Sequence, residues 1–248
     1  MKKKKVPLYR LFPSIITIAA LCMGLTGIKY VFENNFEMAV IMVLIACVMD
    51  GIDGPSARFL KSSSDFGAQL DSLCDLVNFG VVPAIIIYKW RLYEIGGLGW
   101  AISLIYASCT ALRLARYNIE STAPGNKVHS YFYGISSPCA AILALSPLML
   151  TFQVFDINFF PIIIGLYIVF IALMMVSRIP TISTKGFQVK KRDIPFIIAL
   201  GAIVVAGTLL MPWKVIPMLS IIYIFSIPLS WYHFKKKSLF SSLSNKES

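Results

Sequence analysis

Long apolar runs recur along this chain, and they constrain its fold more than any other feature. Each run has roughly 18 to 20 residues, the length that a helix needs to cross the hydrocarbon core of a bilayer. Helices are expected because lipid offers no partner for backbone N–H and C=O groups. Only 14% of the residues are charged and the mean hydropathy is +0.75, whereas a soluble domain has about 25% charged residues. The sequence therefore predicts an all-α polytopic membrane protein.

The alternation of apolar and polar segments divides the chain into spans and regions. We predict eight transmembrane helices, at residues 14–31, 37–53, 67–88, 97–117, 133–152, 159–178, 194–211 and 215–234. We expect residues 14–180 to form a six-helix membrane core and residues 181–234 to add two C-terminal transmembrane helices. Residues 1–13 are expected to be a basic N-terminus with an interfacial helix, and residues 235–248 a basic, serine-rich tail.

The basic residues are concentrated on one side of the predicted bundle. An even number of spans places both termini on the same side. Of the 23 lysines and arginines, Lys29, Lys89, Arg91 and Lys214 fall opposite, which leaves 19 on the terminal side. Because cytoplasmic segments carry the excess of basic residues, both termini are predicted to be cytoplasmic. The net charge of +11 then reflects a rim that faces anionic lipid, and no nucleic-acid partner is expected.

Four aspartates border the second and third predicted spans on this cytoplasmic side. They are Asp50, Asp53, Asp71 and Asp75, and they belong to the pattern D-x2-D-G-x2-A-R-x8-G-x3-D-x3-D. Spacings of three and four place each pair on one helical face, and the short polar link predicts a hairpin in which the pairs converge. Ionised groups near lipid cost several kcal/mol unless they are paired or bound to metal. Carboxylate oxygens at this density suit Mg²⁺ or Mn²⁺.

The other residues of the pattern indicate a phosphate ligand beside these cations. Gly54, Ala57 and Gly67 remove side-chain bulk where backbone and ligand must approach closely. Arg58 is shaped for a bidentate grip on phosphate. A single aspartate often caps a helix or pairs with a lysine, but the eight fixed positions coincide by chance on the order of 10⁻¹⁰ per starting position. The pattern therefore predicts a site for a lipid-linked pyrophosphate.

This pattern resembles the signature of the CDP-alcohol phosphotransferases, which it matches without a gap. Three further stretches are similar to bacterial membrane-integral phosphatidylserine synthases, namely residues 71–84, 111–118 and 131–138. In the last stretch Ile135 and Ser136 stand where those enzymes usually have Leu and Pro. The resemblance covers roughly residues 6 to 180. It implies a homodimeric enzyme of the bacterial inner membrane that transfers a phosphatidyl group from CDP-diacylglycerol to L-serine.

The resemblance also implies a role for each residue of the signature. Asp50, Asp53 and Asp71 would bind two divalent ions, while Asp75 would touch the second ion and act as the general base. The residues that would surround the CDP part of CDP-diacylglycerol are Thr17, Gly54, Ala57, Arg58, Ser64 and Gly67. Thr17 enters because the run from Pro13 to Thr17 is similar to a Pro-Asn-x-x-Thr element, with Ser14 in place of Asn.

Recognition of free serine requires a cation for its carboxylate and acceptors for its ammonium group. Arg113 and Arg116 lie one turn apart near the cytoplasmic end of the fourth predicted span, and we expect Arg116 to bind the carboxylate. Asn118, Ser136 and Ser137 are expected nearby. The alternative is that both arginines only anchor the helix to lipid phosphate.

Two other functions remain open from the sequence. Phosphatidyl transfer to glycerol 3-phosphate or inositol phosphate would need the same signature and differ only in the acceptor. A divalent-cation transporter would use the aspartates as an ion path, but it would place acidic residues near the midplane of the bilayer and often contain inverted repeats.

Overall fold

The structure is a computed structural model that describes residues 12–59, 65–122, 132–153, 159–177, 180–181 and 193–227. Helices account for nearly all of these residues. They are α1 (Phe12–Phe32), α2 (Phe36–Phe59), α3 (Asp65–Asp75), α4 (Val82–Trp90), α5 (Gly97–Thr122), α6 (Ser137–Thr151), α7 (Pro161–Val176), α8 (Ile194–Leu210) and α9 (Pro212–Ile227). A π-helical turn (Leu76–Val81) joins α3 to α4, and a short 3-10 helix (Leu92–Ile95) follows α4.

Three of the described helical segments are long and apolar enough to cross a membrane. They are Phe12–Phe32, Phe66–Trp90, which runs through the π turn, and Gly97–Ile119. Shorter apolar helices are 137–151, 161–176, 194–210 and 212–227. Large apolar side chains are exposed on the outside of the bundle, such as Ile162 and Leu166 on α7 and Leu209 on α8. Exposed apolar surface on this scale is typical of contact with lipid and not with water.

A tight turn reverses the chain between α1 and α2. Asn34 adopts a positive φ of 58°, a conformation that asparagine tolerates better than most residues at a helix C-terminus. The Oδ1 of Asn35 accepts a hydrogen bond of 3.1 Å from the backbone N–H of Met38 and so caps α2. The two helices then pack against each other, and Asp50 lies several turns along α2 from this turn.

The π turn lies where three helices meet. Asn78, Phe79 and Gly80 in this turn are buried. Tyr106 of α5 donates a hydrogen bond of 3.0 Å to the backbone carbonyl of Phe79, which satisfies a polar group in the apolar core. On the other side, α1 approaches so closely at Gly24 that there is no room for a Cβ beside Asn78.

The structure differs from the sequence prediction at the fifth span, which was expected at 133–152. Helix α6 begins only at Ser137, and Phe132–Tyr133 instead pairs antiparallel with Pro180–Thr181. The prediction was wrong here because Gly134 has a φ of 74°, which interrupts any helix. The strand pair ties the beginning of α6 to the end of α7. It thereby holds both helix ends beside the end of α5.

The remaining predicted spans correspond to helices whose ends shift by a few residues. The largest shift is in α2, which continues through the signature to Phe59 and does not end at residue 53. Residues 228–234 of the last predicted span lie outside the described residues, as do residues 1–11 and the predicted tail at 235–248.

Substitution of Gly24 by Ala is expected to destabilise the bundle. The added Cβ would overlap Oδ1 of Asn78 and lie 3.0 Å from its Cγ, so that the buried Asn78 side chain must shift or α1 must move away from the π turn. Overpacking of this kind costs about 1–3 kcal/mol. Thermal unfolding of the purified protein in detergent should show a lower midpoint for Gly24→Ala. Gly201→Ala, a control on α8 whose Cβ would meet open space, should unfold no earlier than the wild type.

Candidate metal centre

Three carboxylates converge at the point where α2 and α3 meet. Asp50 comes from α2, and Asp71 and Asp75 come from α3. Each offers one oxygen, and these atoms all lie within 4.8 Å of one another. The three residues are half-buried, so bulk water screens their charges only in part. The convergence predicted from the spacing is confirmed for these three aspartates.

The cluster has the composition of a site for a hard divalent cation. Asp50 and Asp75 lie within hydrogen-bonding distance of each other, and two carboxylates that close repel unless a proton or a cation lies between them. Hard oxygen ligands favour Mg²⁺ and Mn²⁺ over metals that prefer sulfur or nitrogen. Asp50, Asp71 and Asp75 therefore fit a divalent ion by ligand type and by spacing.

Arg113 of α5 supplies a positive charge that acts on this cluster. It interacts electrostatically with both Asp50 and Asp75. Its guanidinium also donates a hydrogen bond to the hydroxyl of Ser137, at the start of α6. Arg113 therefore links the carboxylates on one side to the N-terminus of α6 on the other, and Ser137 itself is fully buried.

Arg116, one turn further along α5, faces a different neighbour. Its guanidinium donates a hydrogen bond of 2.8 Å to the backbone carbonyl of Val176, at the end of α7. Asn118 bonds to Ser72 through its side-chain amide, with an N–O distance of 3.0 Å, which ties α5 to α3 between two of the aspartates. Ser136 precedes α6 as its N-cap and is half-buried. Of the four residues predicted to bind serine, Ser137 is hydrogen-bonded to Arg113, the arginine that interacts with the carboxylates.

The structure describes only some of the residues that were predicted to contact the nucleotide. The hydroxyl of Thr17 is buried and donates a hydrogen bond of 3.1 Å to the carbonyl of Pro13, one turn earlier in α1. Gly67 is half-buried in the first turn of α3. Asp53, Gly54, Ala57 and Arg58 continue α2 beyond Asp50, but their side chains lie outside the described part of the structure. Ser64 lies outside the described residues altogether. The roles of all these residues stay predictions.

The proximity of Arg113 to the carboxylates was not predicted, although the sequence contains a signal for it. Tyr106 and Thr110 of α5 are fully buried, and steps of four and three residues lead from them to position 113. A residue that continues such a stripe faces the interior of the bundle. A stripe alone, however, does not show which neighbour the side chain contacts, and the residue predicted to bind the serine carboxylate was Arg116.

The chain is similar to known proteins of one family. The profile of the CDP-alcohol phosphatidyltransferase family matches residues 10–182. The chain is 33% identical to the CDP-diacylglycerol–serine O-phosphatidyltransferase of Mycobacterium tuberculosis (strain ATCC 25618 / H37Rv) over 231 residues, which cover 88% of this chain and 77% of that relative. It is 36% identical to the protein of the same name from Helicobacter pylori (strain J99) over 176 residues, covering 70% and 72% respectively.

The similarity extends to a third bacterial genus. The chain is 32% identical to the CDP-diacylglycerol–serine O-phosphatidyltransferase of Bacillus subtilis (strain 168) over 167 residues, which cover 67% of this chain and 87% of the relative. The family profile spans the aspartate cluster, Arg113 and Ser137 together. By its sequence and by the extent of these matches, the chain belongs to the CDP-alcohol phosphatidyltransferase family.

Proposed function

We propose that this protein transfers the phosphatidyl group of CDP-diacylglycerol to L-serine, giving phosphatidylserine and CMP. The observation that carries the proposal is the cluster of Asp50, Asp71 and Asp75, whose oxygens lie within 4.8 Å of one another, with Arg113 beside it. The names of the relatives from three bacterial genera support serine as the acceptor. Membership of the family supports a CDP-linked donor.

We further propose that the chain crosses a bacterial inner membrane eight times, with the site and both termini in the cytoplasm. Three long apolar helices and four shorter ones among the described residues support a membrane location. The unequal distribution of lysine and arginine supports the orientation. A homodimer, expected from the resemblance, remains part of this proposal.

The carboxylate cluster would hold the divalent ions. Asp50, Asp71 and Asp75 supply the ligands seen in the structure, and the proposal adds Asp53, one turn after Asp50 in α2. A bound Mg²⁺ or Mn²⁺ neutralises the charge of the pyrophosphate and of the departing CMP. The chain contributes a fixed geometry for this charge, because α1 packs against both α2 and α3.

In the proposed reaction Asp75 accepts the proton of the serine hydroxyl. The serine oxygen forms a bond to the phosphorus that carries diacylglycerol. The bond from that phosphorus to the bridging oxygen breaks, and its electron pair leaves with CMP. Arg58, with the small residues Gly54 and Ala57, would hold the CDP part during this step. A base placed within hydrogen-bond reach of the hydroxyl contributes typically 10²–10⁴-fold to the rate.

Arg113 is the better candidate to bind the carboxylate of serine. It interacts electrostatically with Asp75, so an acceptor held by its guanidinium would bring its hydroxyl toward the base. Arg116 remains the expectation from the sequence, and its contact with the carbonyl of Val176 leaves other guanidinium N–H groups for a ligand. An acceptor without a carboxylate, such as glycerol 3-phosphate, would present phosphate to the same arginine, which is why the alternative acceptors need a direct test.

Of the three predictions on activity, the first concerns the acceptor and the metal. Purified protein with CDP-diacylglycerol and Mn²⁺ or Mg²⁺ should release CMP when L-serine is added, and the lipid product should be phosphatidylserine. Removal of the metal with EDTA should abolish release, and either ion added in excess should restore it. Release with glycerol 3-phosphate or an inositol phosphate but not with serine would assign the other acceptor. No release with any alcohol, together with Mn²⁺ uptake into proteoliposomes, would favour a transporter.

The second prediction concerns the base. Asp75→Asn should lower turnover at least 100-fold, because the amide cannot accept the proton, while binding of CDP-diacylglycerol should persist. Turnover is measured by CMP release and donor binding by a filter assay with labelled lipid. Asp193→Asn, which alters an exposed aspartate at the start of α8, is the control and should retain full activity. Substantial turnover by Asp75→Asn would remove Asp75 from the role of base.

The third prediction separates the two arginines. Arg113→Gln should raise the KM for serine at least tenfold, since a hydrogen-bonded ion pair to the carboxylate is lost. The KM for CDP-diacylglycerol should change less than twofold. Arg116→Gln, with the same chemical change one turn away, should have a smaller effect on the KM for serine. The reverse order of effects would assign the serine carboxylate to Arg116, as expected from the sequence.

A further inference from the structure

Helix α9 packs against the bundle through one continuous face. Its buried residues are Trp213, Pro217, Ser220 and Ile227, and the half-buried Tyr223 and Ile224 lie between the last two. Steps of three and four residues place all of them on one side of a helix. The opposite side exposes apolar residues such as Met218 and Phe225. Tyr223 therefore points toward the interior of the bundle and not toward lipid.

Two contacts fix the start of α9 at the end of the bundle that is remote from the carboxylates. The indole N–H of Trp213 donates a hydrogen bond of 3.0 Å to Oε1 of Glu37, in the first turn of α2. The same indole packs edge-on against Phe152, with ring centroids 4.9 Å apart. Since Asp50 lies several turns further along α2 than Glu37, any residue of α9 near the carboxylates must come later in that helix.

Helix geometry places Tyr223 close to the depth of the carboxylate cluster. At 1.5 Å per residue, Tyr223 lies about 15 Å along α9 from Trp213, and Asp50 lies about 20 Å along α2 from Glu37. The neighbours of Tyr223 agree with this depth, because it interacts electrostatically with Arg113 and with Cys139, in the first turn of α6.

We propose that Tyr223 is a positioning residue for Arg113 and forms one wall of the subsite that binds the carboxylate of the acceptor. A phenol hydroxyl can accept a hydrogen bond from a guanidinium and donate one to a carboxylate. Ser137 holds Arg113 from α6, and Tyr223, on the inward side of α9, interacts with it electrostatically. This inference rests on the proposed function. It assigns a role in recognition to a helix that lies beyond residues 10–182, the part of the chain that the family profile matches.

The competing explanation is that Tyr223 only anchors α9 to the bundle. Trp213 and Ile227, at 8% and 7% exposure, already bury the two ends of that helix. The hydroxyl of Tyr223 is therefore not needed for anchoring, and its removal separates the two roles. Tyr223→Phe keeps the ring and its packing and removes only the hydroxyl.

Steady-state kinetics of CMP release test the proposal with the full-length enzyme. Tyr223→Phe should raise the KM for L-serine about tenfold, the loss expected for a hydrogen bond to a charged group. The KM for CDP-diacylglycerol and the midpoint of thermal unfolding should stay at the wild-type values. The matched control is Tyr88→Phe, at another half-buried tyrosine that packs against Trp100 near the end of α4. It should leave both KM values unchanged.

A double-mutant cycle identifies the partner through which Tyr223 acts. In the Arg113→Lys background, Tyr223→Phe should raise the KM for serine less than twofold further, because the group it positions has been replaced. Additive effects would show that Tyr223 acts without Arg113 and would overturn its assignment as a positioning residue. An unchanged KM for serine in Tyr223→Phe would overturn the inference alone, whereas a wild-type enzyme that does not use serine would overturn the proposed function first.

Discussion

The proximity of Asp50 and Asp75 is the constraint on which the rest of the structure depends. The two carboxyl groups lie within hydrogen-bonding distance in a half-buried place, where charges of the same sign repel more strongly than they would in water. Asp71 adds a third acidic group, and Arg113 supplies a single positive charge in return. The centre thus holds more acidic groups than this one described cation can balance, which suits an ion brought in from solution.

The surrounding helices hold these acidic groups together in spite of their repulsion. The hairpin of α1 and α2 sets the position of Asp50. The contacts of the π turn with Gly24 and Tyr106 set the position of α3, which carries Asp71 and Asp75. Each contact involves a buried group in a closely packed region, so the helices cannot slide apart without opening voids or unsatisfied hydrogen bonds. Packing energy elsewhere in the bundle therefore stabilises an electrostatically unfavourable arrangement at the site.

Patterns within short stretches of the sequence predicted those parts of the structure that depend on residues close together in the chain. Apolar runs and polar turns placed the helices, and the spacing of Asp71 and Asp75 predicted their shared face. The start of α6 was predicted too early, because the pairing of Phe132–Tyr133 with Pro180–Thr181 is a contact between distant segments. The choice between Arg113 and Arg116 was equally non-local. The end of α7 offers a carbonyl to Arg116, and no feature of α5 alone reveals that neighbour.

The π turn at Leu76–Val81 sets how α3 and α4 are rotated relative to each other around their common axis. A π turn accommodates one residue more than an α-helical turn, and one residue corresponds to about 100° of rotation around the axis. The extra residue therefore sets the angular phase between the acidic half, Asp65–Asp75, and the apolar half, Val82–Trp90. Removal of a single residue there would rotate the carboxylates around the helix axis while leaving the buried apolar half in place. The number of residues in the π turn therefore helps to determine the direction in which the carboxylates point.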